Sequence, residues 1–570
     1  MGNIVGGPLN EAKQQEIKEL IEAVLLKFTE QYTKVYAVAL LDKVIEEISE
    51  QPEEWQLLER PEASRPTEPL KQGYLTKQGA VRKNWLKRYF VVRADYKIEY
   101  YESEDAFKNS KSPKGTIVPC SFTVQHDPVK NRLEDLAETA QKMGALVADL
   151  PKPDPVPDFC FELYHPRRRC FFIQAENNEE KQEWLKVFER CRYKSRALSD
   201  DPVANTAFIE AVNATRRALR RYGWWYLNGS ESQILTDVIV WEVDHTMMAD
   251  IYREIKGPMQ LRWMARNQVM KALDTSVSGA VATSLQALTK TISMVREKVE
   301  PVMRSKMTFI VESKEKIQEK IKDACLCKIE PVLAEKVAPR LTGVLNILFS
   351  PMADAFSETR AVFDDSLDEM IKKVETDSGF GPHLNVHFKN LDRAPRSWWT
   401  MRKANKKTRA MEVPLWGLRQ FFDDVSPNKL INKAQDTLAL VLDNAMYTFE
   451  NNLAEMTGGN ASTMDVQEAK SAILKCKESV MEKFSEDAHK ATTSYFKDIM
   501  VMLCMPVMLK ALAPVCEPII EPIASTVPDE LSDILDVEKL YEETVEKIVQ
   551  GAVDAVVDPA CQHQHNNTEA

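Results

Sequence analysis

The fold of this chain is decided by the stretch Gly73-Tyr74-Leu75-Thr76-Lys77 and by the two that follow it, Trp85-Leu86-Lys87-Arg88-Tyr89-Phe90-Val91-Val92 and Lys97-Ile98-Glu99-Tyr100-Tyr101. Each is rich in β-branched and aromatic residues, and short polar turns separate them, which is typical of an antiparallel meander. The same pattern predicts four more strands and a closing helix, at Gly115–Val118, Phe122–Val124, Phe159–Tyr164, Cys170–Ala175 and Glu179–Phe188.

Helical periodicity flanks this β-region on both sides. Apolar side chains recur at steps of three and four before residue 50 and again after residue 199. We therefore predict a helical segment at 1–60, a proline-bearing linker at 61–70, a β-domain at 71–195 and an elongated helical domain at 199–557. Three irregular parts are also expected: an insertion at about 126–157, a polar break at about 376–414 and, after the helical domain, a disordered tail at 558–570.

Composition agrees with a multidomain, mostly helical chain. A length of 570 residues exceeds what one core holds, and only 18 glycines occur. We assign the fold class α+β, an elongated α-helical bundle with one small β-barrel. The net charge of −11 argues against a dedicated nucleic-acid binder. The apolar run Ile499–Leu509 is too short to cross a bilayer. The ten cysteines are scattered and lack the spacing of a zinc site, which favours reduced thiols in a cytoplasmic protein.

The β-region resembles a pleckstrin-homology domain. The resemblance rests on a first strand of the form Gly-Tyr-Leu-x-Lys, a second strand with Lys-Arg-Tyr-Phe-Val-Val, and a last helix that carries Trp184. It covers 71–195 and implies a bent barrel of seven strands. The last helix would plug one open end of that barrel, with Trp184 as its apolar stopper.

A basic segment marks the candidate binding site of this domain. Residues 71–118 contain eleven basic and five acidic side chains, in a chain whose net charge is negative. Phosphate groups need convergent Lys and Arg, so the candidate lipid-binding residues are Lys77, Arg82, Lys83, Lys87 and Arg88. The high-affinity family pattern has a basic residue where this chain has Leu86, which predicts weak binding to anionic membrane lipids. A further run, Arg167-Arg168-Arg169, either widens this patch or forms a solvated turn.

The helical part resembles the Niban family of stress-response proteins. The stretches that carry the resemblance are Ala355–Phe363, Asn444–Glu450, Met505–Leu512 and Val537–Glu543. The resemblance implies a cytoplasmic protein, partly at the inner face of the plasma membrane, that regulates apoptosis through signalling proteins not identified by the sequence. Gly2 in Met1–Gly6 is a candidate myristoylation site, although one acyl chain anchors a protein only marginally.

Motifs of catalysis are missing from the sequence. It has no GxxxxGK[ST], no GxGxxG after a strand, no HExxH and no GxSxG. His383 and His387 have helical spacing but no nearby acidic ligand, so neither a metal nor a cofactor is expected. We interpret the chain as a non-enzymatic signalling or scaffold protein recruited to membranes. The alternative is a pleckstrin-homology-containing regulator of a small GTPase.

Two basic clusters in the helical part leave a choice open. One is Arg216-Arg217 with Arg220-Arg221, and the other spans Arg402–Arg409. Either cluster could face a membrane or an acidic partner. The alternative is pairing with acidic residues of the same chain, of which there are 86. Aromatic residues are poorly interleaved with the second cluster, which does not support nucleic-acid recognition.

Overall fold

The computed structural model describes most of the chain. The described residues are 11–49, 55–61, 68–79, 82–143, 146, 155–165, 169–195, 201–222, 229–376, 400–422, 426–457 and 465–569. Gly2, Arg167, Arg168, His383 and His387 lie outside them.

Seven strands form one antiparallel sheet. They are β1 (Lys71–Gln78), β2 (Trp85–Val92), β3 (Ile98–Tyr101), β4 (Gly115–Ile117), β5 (Thr123–Gln125), β6 (Cys160–Tyr164) and β7 (Phe171–Gln174), in the spatial order β4-β3-β2-β1-β7-β6-β5. The sheet is therefore a meander in which β1 also pairs with β7, and β4 and β5 are its edges. Up to β4 the strands follow the periodicity of the sequence closely.

A helix closes the sheet domain at one end. The chain contributes α2 (Glu104–Lys108) after β3, α3 (Pro128–Met143) inside the predicted insertion, and α4 (Asn178–Lys194) after β7. Trp184 on α4 is only 1% exposed, and its ring lies 6.3 Å from that of Phe90 and 6.0 Å from that of Phe188. A Cβ atom at Gly73 would come within 3.3 Å of the Trp184 ring, so glycine permits this close approach.

Helices build the rest of the molecule. They are α1 (Glu11–Ser49), α5 (Pro202–Ala218), α6 (Glu231–Val243), α7 (Ala249–Glu254), α8 (Met259–Ser305), α9 (Met307–Val332), α10 (Ala338–Thr376), α11 (Arg402–Arg409), α12 (Glu412–Gly417), α13 (Pro427–Thr457), α14 (Val466–Ala524) and α15 (Val537–Glu569). One continuous hydrophobic core joins them. Because α1 packs against α5 and α8, the predicted N-terminal segment is part of this helical body.

Two expectations about irregular segments are wrong. The tail predicted to be disordered from 558 is helical as far as Glu569, because Val557 and Cys561 are buried and Asp558 pairs with Lys497 at 2.8 Å. The second half of the predicted polar break, from residue 400, folds into α11 and α12 instead. Buried Ala404 and other small or apolar side chains hold α11 against α10 and α13, and α12 against α13. The sequence did not reveal these helices because periodicity is hard to detect in helices this short.

The apolar run near residue 500 lies within α14. Among the described residues, α14 is long and apolar enough by length and composition to cross a membrane. Half of its most apolar window is buried within the protein, and Ile499, Met500 and Leu503 are at most 1% exposed. The core helix of a helical bundle has the same composition, so this run is explained by packing.

A docked segment, residues 55–60, connects the helical body to the sheet domain. The Asp487 carboxylate, on α14, accepts the backbone N–H groups of Gln56 and Leu57, each at 2.9 Å. The Arg60 guanidinium is 3% exposed and pairs with Asp443 at 3.1 Å. The chain that leads into β1 is therefore fixed to the helical body immediately before the predicted linker begins.

We expect Asp487→Ala to release the docked segment. The substitution removes a 1% exposed carboxylate and the acceptor of two backbone N–H groups, so it should lower the free energy of unfolding by about 3 kcal/mol. Urea unfolding followed by circular dichroism measures the change. Asp498→Ala on the same helix is the control, because its half-exposed pair with Lys433 should cost only about 0.5 kcal/mol. Equal unfolding midpoints for the two variants would contradict the expectation.

Candidate functional site

The hairpin of β1 and β2 sorts the predicted lipid-binding residues between the two faces of the sheet. Lys77 pairs across the hairpin with Leu86, and Arg88 pairs with Leu75. Directly paired residues share a face, and alternate residues of one strand share it too. Lys77, Leu86 and Arg88 therefore lie on the inner face, which holds the domain core. Lys87 pairs with Thr76 and lies on the outer face, where its ammonium is 5.1 Å from the Tyr74 ring centroid.

Lys77 is the most deeply buried of the predicted lipid-binding residues, and it is only 6% exposed. Its Nζ is 4.8 Å from the Tyr100 ring centroid and 5.5 Å from that of Phe171, and it donates a hydrogen bond to the Gln78 carbonyl at 3.2 Å. Burial lowers the pKa of Lys77 to about 8, with smaller contributions from the positive charges of Arg169 and Arg88. The positive charges of Arg88 and Arg169 therefore lie close enough to Lys77 to repel its ammonium.

Arg169 completes the cationic cluster from the loop between β6 and β7. Its Cζ is 4.8 Å from the centroid of the Phe171 ring, the same ring that Lys77 approaches. The sequence allowed this arginine either to widen the patch or to lie in a solvated turn, and the structure places it beside Lys77. We call Lys77, Arg88 and Arg169 the cationic mouth. Such a cluster favours an anionic ligand, because an anion relieves the repulsion among its members.

The remaining predicted residues occupy less central positions. The β1–β2 loop is closed by the hydrogen bond from the Gly79 N–H to the Asn84 carbonyl at 2.8 Å. It carries Arg82 and Lys83, which are both exposed. Leu86 faces the same side as Lys77 and is 37% exposed, so an apolar side chain stands next to the cationic mouth.

The sheet domain is attached to the helical body by ion pairs. Arg190 and Lys194 on α4 pair with Asp436 on α13, at 2.5 Å and 2.7 Å. His165, in the same loop as Arg169, lies 3.7 Å from the Asp237 carboxylate on α6. The loop that supplies one cation of the mouth therefore also contacts the helical body. Sequence reasoning missed these attachments, since none of them has a local pattern.

Other chemistry has little support in the described part of the chain. No group of three or more His, Cys, Asp or Glu side chains within it could hold a metal ion. Eight of the ten cysteines are buried. Burial raises the pKa of the Cys170 thiol to about 11 and that of Cys504 to about 12, so neither forms the reactive thiolate near neutral pH.

Comparisons with known proteins agree on the family of this chain. The PH domain family model matches residues 69–193, and the model described as the Protein Niban 2-like domain matches residues 331–506. A PH domain-containing protein of Dictyostelium discoideum is 30% identical over 547 residues, which cover 96% of this chain and 98% of that protein. Human Niban 2 is 25% identical over 575 residues, covering 99% of this chain and 76% of that protein. The chain belongs to the Niban family.

The structural comparison extends this likeness to the whole fold. The crystal structure of human Niban 2 has a TM-score of 0.82 to this Niban-family chain at 24% identity, and the match covers 98% of this chain and 99% of that one. The two proteins thus share the arrangement of a sheet domain on a helical body. The resemblance to pleckstrin-homology and Niban proteins inferred from the sequence is confirmed.

We expect the Lys77 ammonium to lose its proton near pH 8, whereas lysine in water titrates at about pH 10.4. An anion in the cationic mouth stabilises the protonated form, so inositol hexakisphosphate should raise the midpoint. Its affinity should fall correspondingly as the pH rises through 8. Lysine side-chain NMR, assigned with Lys77→Arg, measures the midpoint. Lys77→Arg should also remove the pH dependence of affinity in this range, and a Lys77 midpoint above pH 10 would contradict the expectation.

Proposed function

We propose that this Niban-family protein is a non-enzymatic docking and scaffold protein that the cationic mouth of its PH domain holds on anionic membrane lipids. The observation that carries the proposal is the convergence of Lys77 and Arg88, on the inner face of the sheet, with Arg169 of the β6–β7 loop. Phosphate oxygens of a lipid headgroup are ligands suited to such a cluster.

Docking through this mouth is weak. Each basic side chain near an anionic membrane surface contributes about 1 kcal/mol. Lys77 contributes less than that, because keeping its buried ammonium charged already costs free energy. Leu86 supplies no charge at the position next to it. The PH domain therefore recruits the protein transiently to the inner face of the plasma membrane from the cytoplasm.

The helical body supplies the scaffold in this proposal. It consists of long helices such as α8 and α14 that pack around a single core. The docked segment and the Asp436 ion pairs fix the PH domain on this body. A rigid attachment means that membrane docking orients the helical surfaces for signalling partners. In keeping with its likeness to Niban 1 and Niban 2, we place this activity in the stress response and in the regulation of apoptosis.

We expect the double variant Lys77→Ala and Arg88→Ala to lose about tenfold or more in binding to anionic vesicles, since two phosphate-binding charges disappear. Co-sedimentation with phosphatidylcholine vesicles that contain either phosphatidylserine or a phosphoinositide measures the loss and separates the two lipids. Lys87→Ala is the matched control, because its side chain lies on the outer face of the sheet. If the double variant binds as the parent does, the mouth is not the lipid site.

Leu86→Lys tests the same site in the opposite direction. The new ammonium would share a face with Lys77 and Arg88, so we expect about a fivefold gain in affinity for phosphoinositide vesicles. The same co-sedimentation assay reports the gain. Leu133→Lys, which replaces another exposed leucine of the domain away from the mouth, should give a smaller gain. Equal gains for the two lysines would show that net charge alone governs binding.

The cellular part of the proposal has its own test. In cells that lack the endogenous protein, the parent chain should lower the fraction of cells that die after a stress that induces apoptosis. The variant carrying both Lys77→Ala and Arg88→Ala should protect less, because it docks poorly. Equal protection by both chains at equal expression would separate the role in cell survival from membrane docking.

A further inference from the structure

A second cationic surface lies outside the PH domain, on residues 400–422. This stretch contains six basic residues and one acidic residue in a chain of net charge −11. It forms α11, α12 and a short 3-10 turn, Leu418–Gln420. One side of these elements faces the helical body through buried apolar or small side chains, chiefly Met401, Ala404, Met411, Leu415 and Phe422.

The exposed side chains of the same elements include both lysines and apolar residues. Lys403 and Lys406 are exposed on α11, while Val413 is 79%, Trp416 43% and Phe421 42% exposed. We call these five residues the basic–aromatic face. Large apolar side chains exposed together beside basic residues are typical of surfaces that enter the headgroup region of a membrane.

The basic residues of α11 differ in their pairing within the protein. Asp354 pairs with Lys407 at 3.3 Å, and Glu412 pairs with Arg409 at 3.9 Å. Neither pair involves a residue of the basic–aromatic face. Within the described part of the chain Lys403 and Lys406 form no ion pair, so their ammonium groups are available to an anionic partner.

The aromatic residues are each covered by a guanidinium of the same chain. The Cζ atom of Arg419 is 3.7 Å from the Trp416 ring centroid, and that of Arg340 is 4.8 Å from the Phe421 ring centroid. A covered ring offers one face less for stacking on a nucleobase, which disfavours single-stranded nucleic acid. A ring that carries a cation at its side still suits the membrane interface, where the apolar edge meets lipid and the cation meets phosphate.

We propose that the basic–aromatic face is a second membrane-contact site that binds the surface of an anionic phospholipid bilayer. Lys403 and Lys406 contact lipid phosphates, and Val413, Trp416 and Phe421 enter the interface between headgroups and acyl chains. A bilayer provides both surroundings at once, with negative charge above and apolar chains directly beneath. The proposal does not depend on the cationic mouth, because no residue is shared between the two sites.

Two weak sites on one rigid protein have a clear advantage for docking. A single membrane signal of this strength gives marginal, reversible binding. Once one site is bound, a second site that faces the same bilayer binds at a high effective concentration, so the combined affinity exceeds either one alone.

The closing experiment measures binding of the full chain to vesicles of phosphatidylcholine with and without phosphatidylserine. We expect the variant Lys403→Ala with Lys406→Ala to lose about 20-fold in affinity for the anionic vesicles. The matched control is Lys320→Ala with Lys322→Ala, two exposed lysines on α9, and it should change affinity by less than about twofold. Val413→Asp places a charge on the most exposed apolar residue of the face without touching the core, and it should also lose binding.

Further measurements distinguish the basic–aromatic face from the cationic mouth. Binding of soluble inositol hexakisphosphate should be unchanged in the α11 variants, since it reports only the cationic mouth. In the background of Lys77→Ala with Arg88→Ala, the α11 variants should still lower the remaining vesicle binding. The proposal is overturned if they bind anionic vesicles as the parent does. It is also overturned if sedimentation shows that they only convert an oligomer to a monomer, since the face would then bind a second copy of the chain.

Discussion

The Asp487 carboxylate fixes the segment that precedes the sheet domain to the helical body. It lies on α14, in the middle of the helical core, and it accepts two consecutive backbone N–H groups of the docked segment. Isolated backbone donors next to a core need such an acceptor, because leaving them unpaired costs about 1–3 kcal/mol each. The buried pair of Arg60 with Asp443 adds a second attachment a few residues later. These contacts fix residues 55–60 to the helical body, and the ion pairs of α4 with Asp436 attach the PH domain itself.

A fixed domain gives the cationic mouth its chemistry. The loop that carries Arg169 also carries His165, which contacts Asp237 of the helical body. Lys77 is held between the Tyr100 and Phe171 rings, where removal of water lowers its pKa. An anion that enters the mouth meets charges that are already in place, so little conformational entropy is lost on binding. The same burial limits affinity, since part of the favourable interaction offsets the cost of keeping Lys77 charged.

Local patterns explain how much of this could be predicted from the sequence. The alternation along the strands and the helix that carries Trp184 depend on neighbouring residues. The sheet and the buried tryptophan lie where these local patterns predict them. The face of the sheet on which a residue lies also follows from local alternation along the strand. Charge alone nevertheless groups Lys87 with Lys77 and Arg88, and the strand register separates them. Burial of Lys77, the role of Asp487 and the helical end of α15 depend on contacts between distant segments. Such contacts leave no periodic signal, so the sequence alone could not reveal them.

The two basic clusters of the helical part show why a run of charges does not by itself indicate a binding surface. In the first cluster, Arg217 pairs with Glu542 at 2.7 Å, Arg220 with Glu517 at 2.6 Å and Arg221 with Glu242 at 3.0 Å. Its charge is neutralised within the protein, and it serves to join α5 and the chain after it to α6, α14 and α15.

In the second cluster, Asp354 and Glu412 pair with Lys407 and Arg409, whereas Lys403 and Lys406 form no ion pair within the described part of the chain. Trp416 and Phe421 are exposed beside this second cluster. The two clusters are similar in composition, but they differ in how many of their basic side chains pair with acidic residues. That difference, set by the packing of distant helices, decides which basic cluster of this acidic protein can still attract an anionic surface.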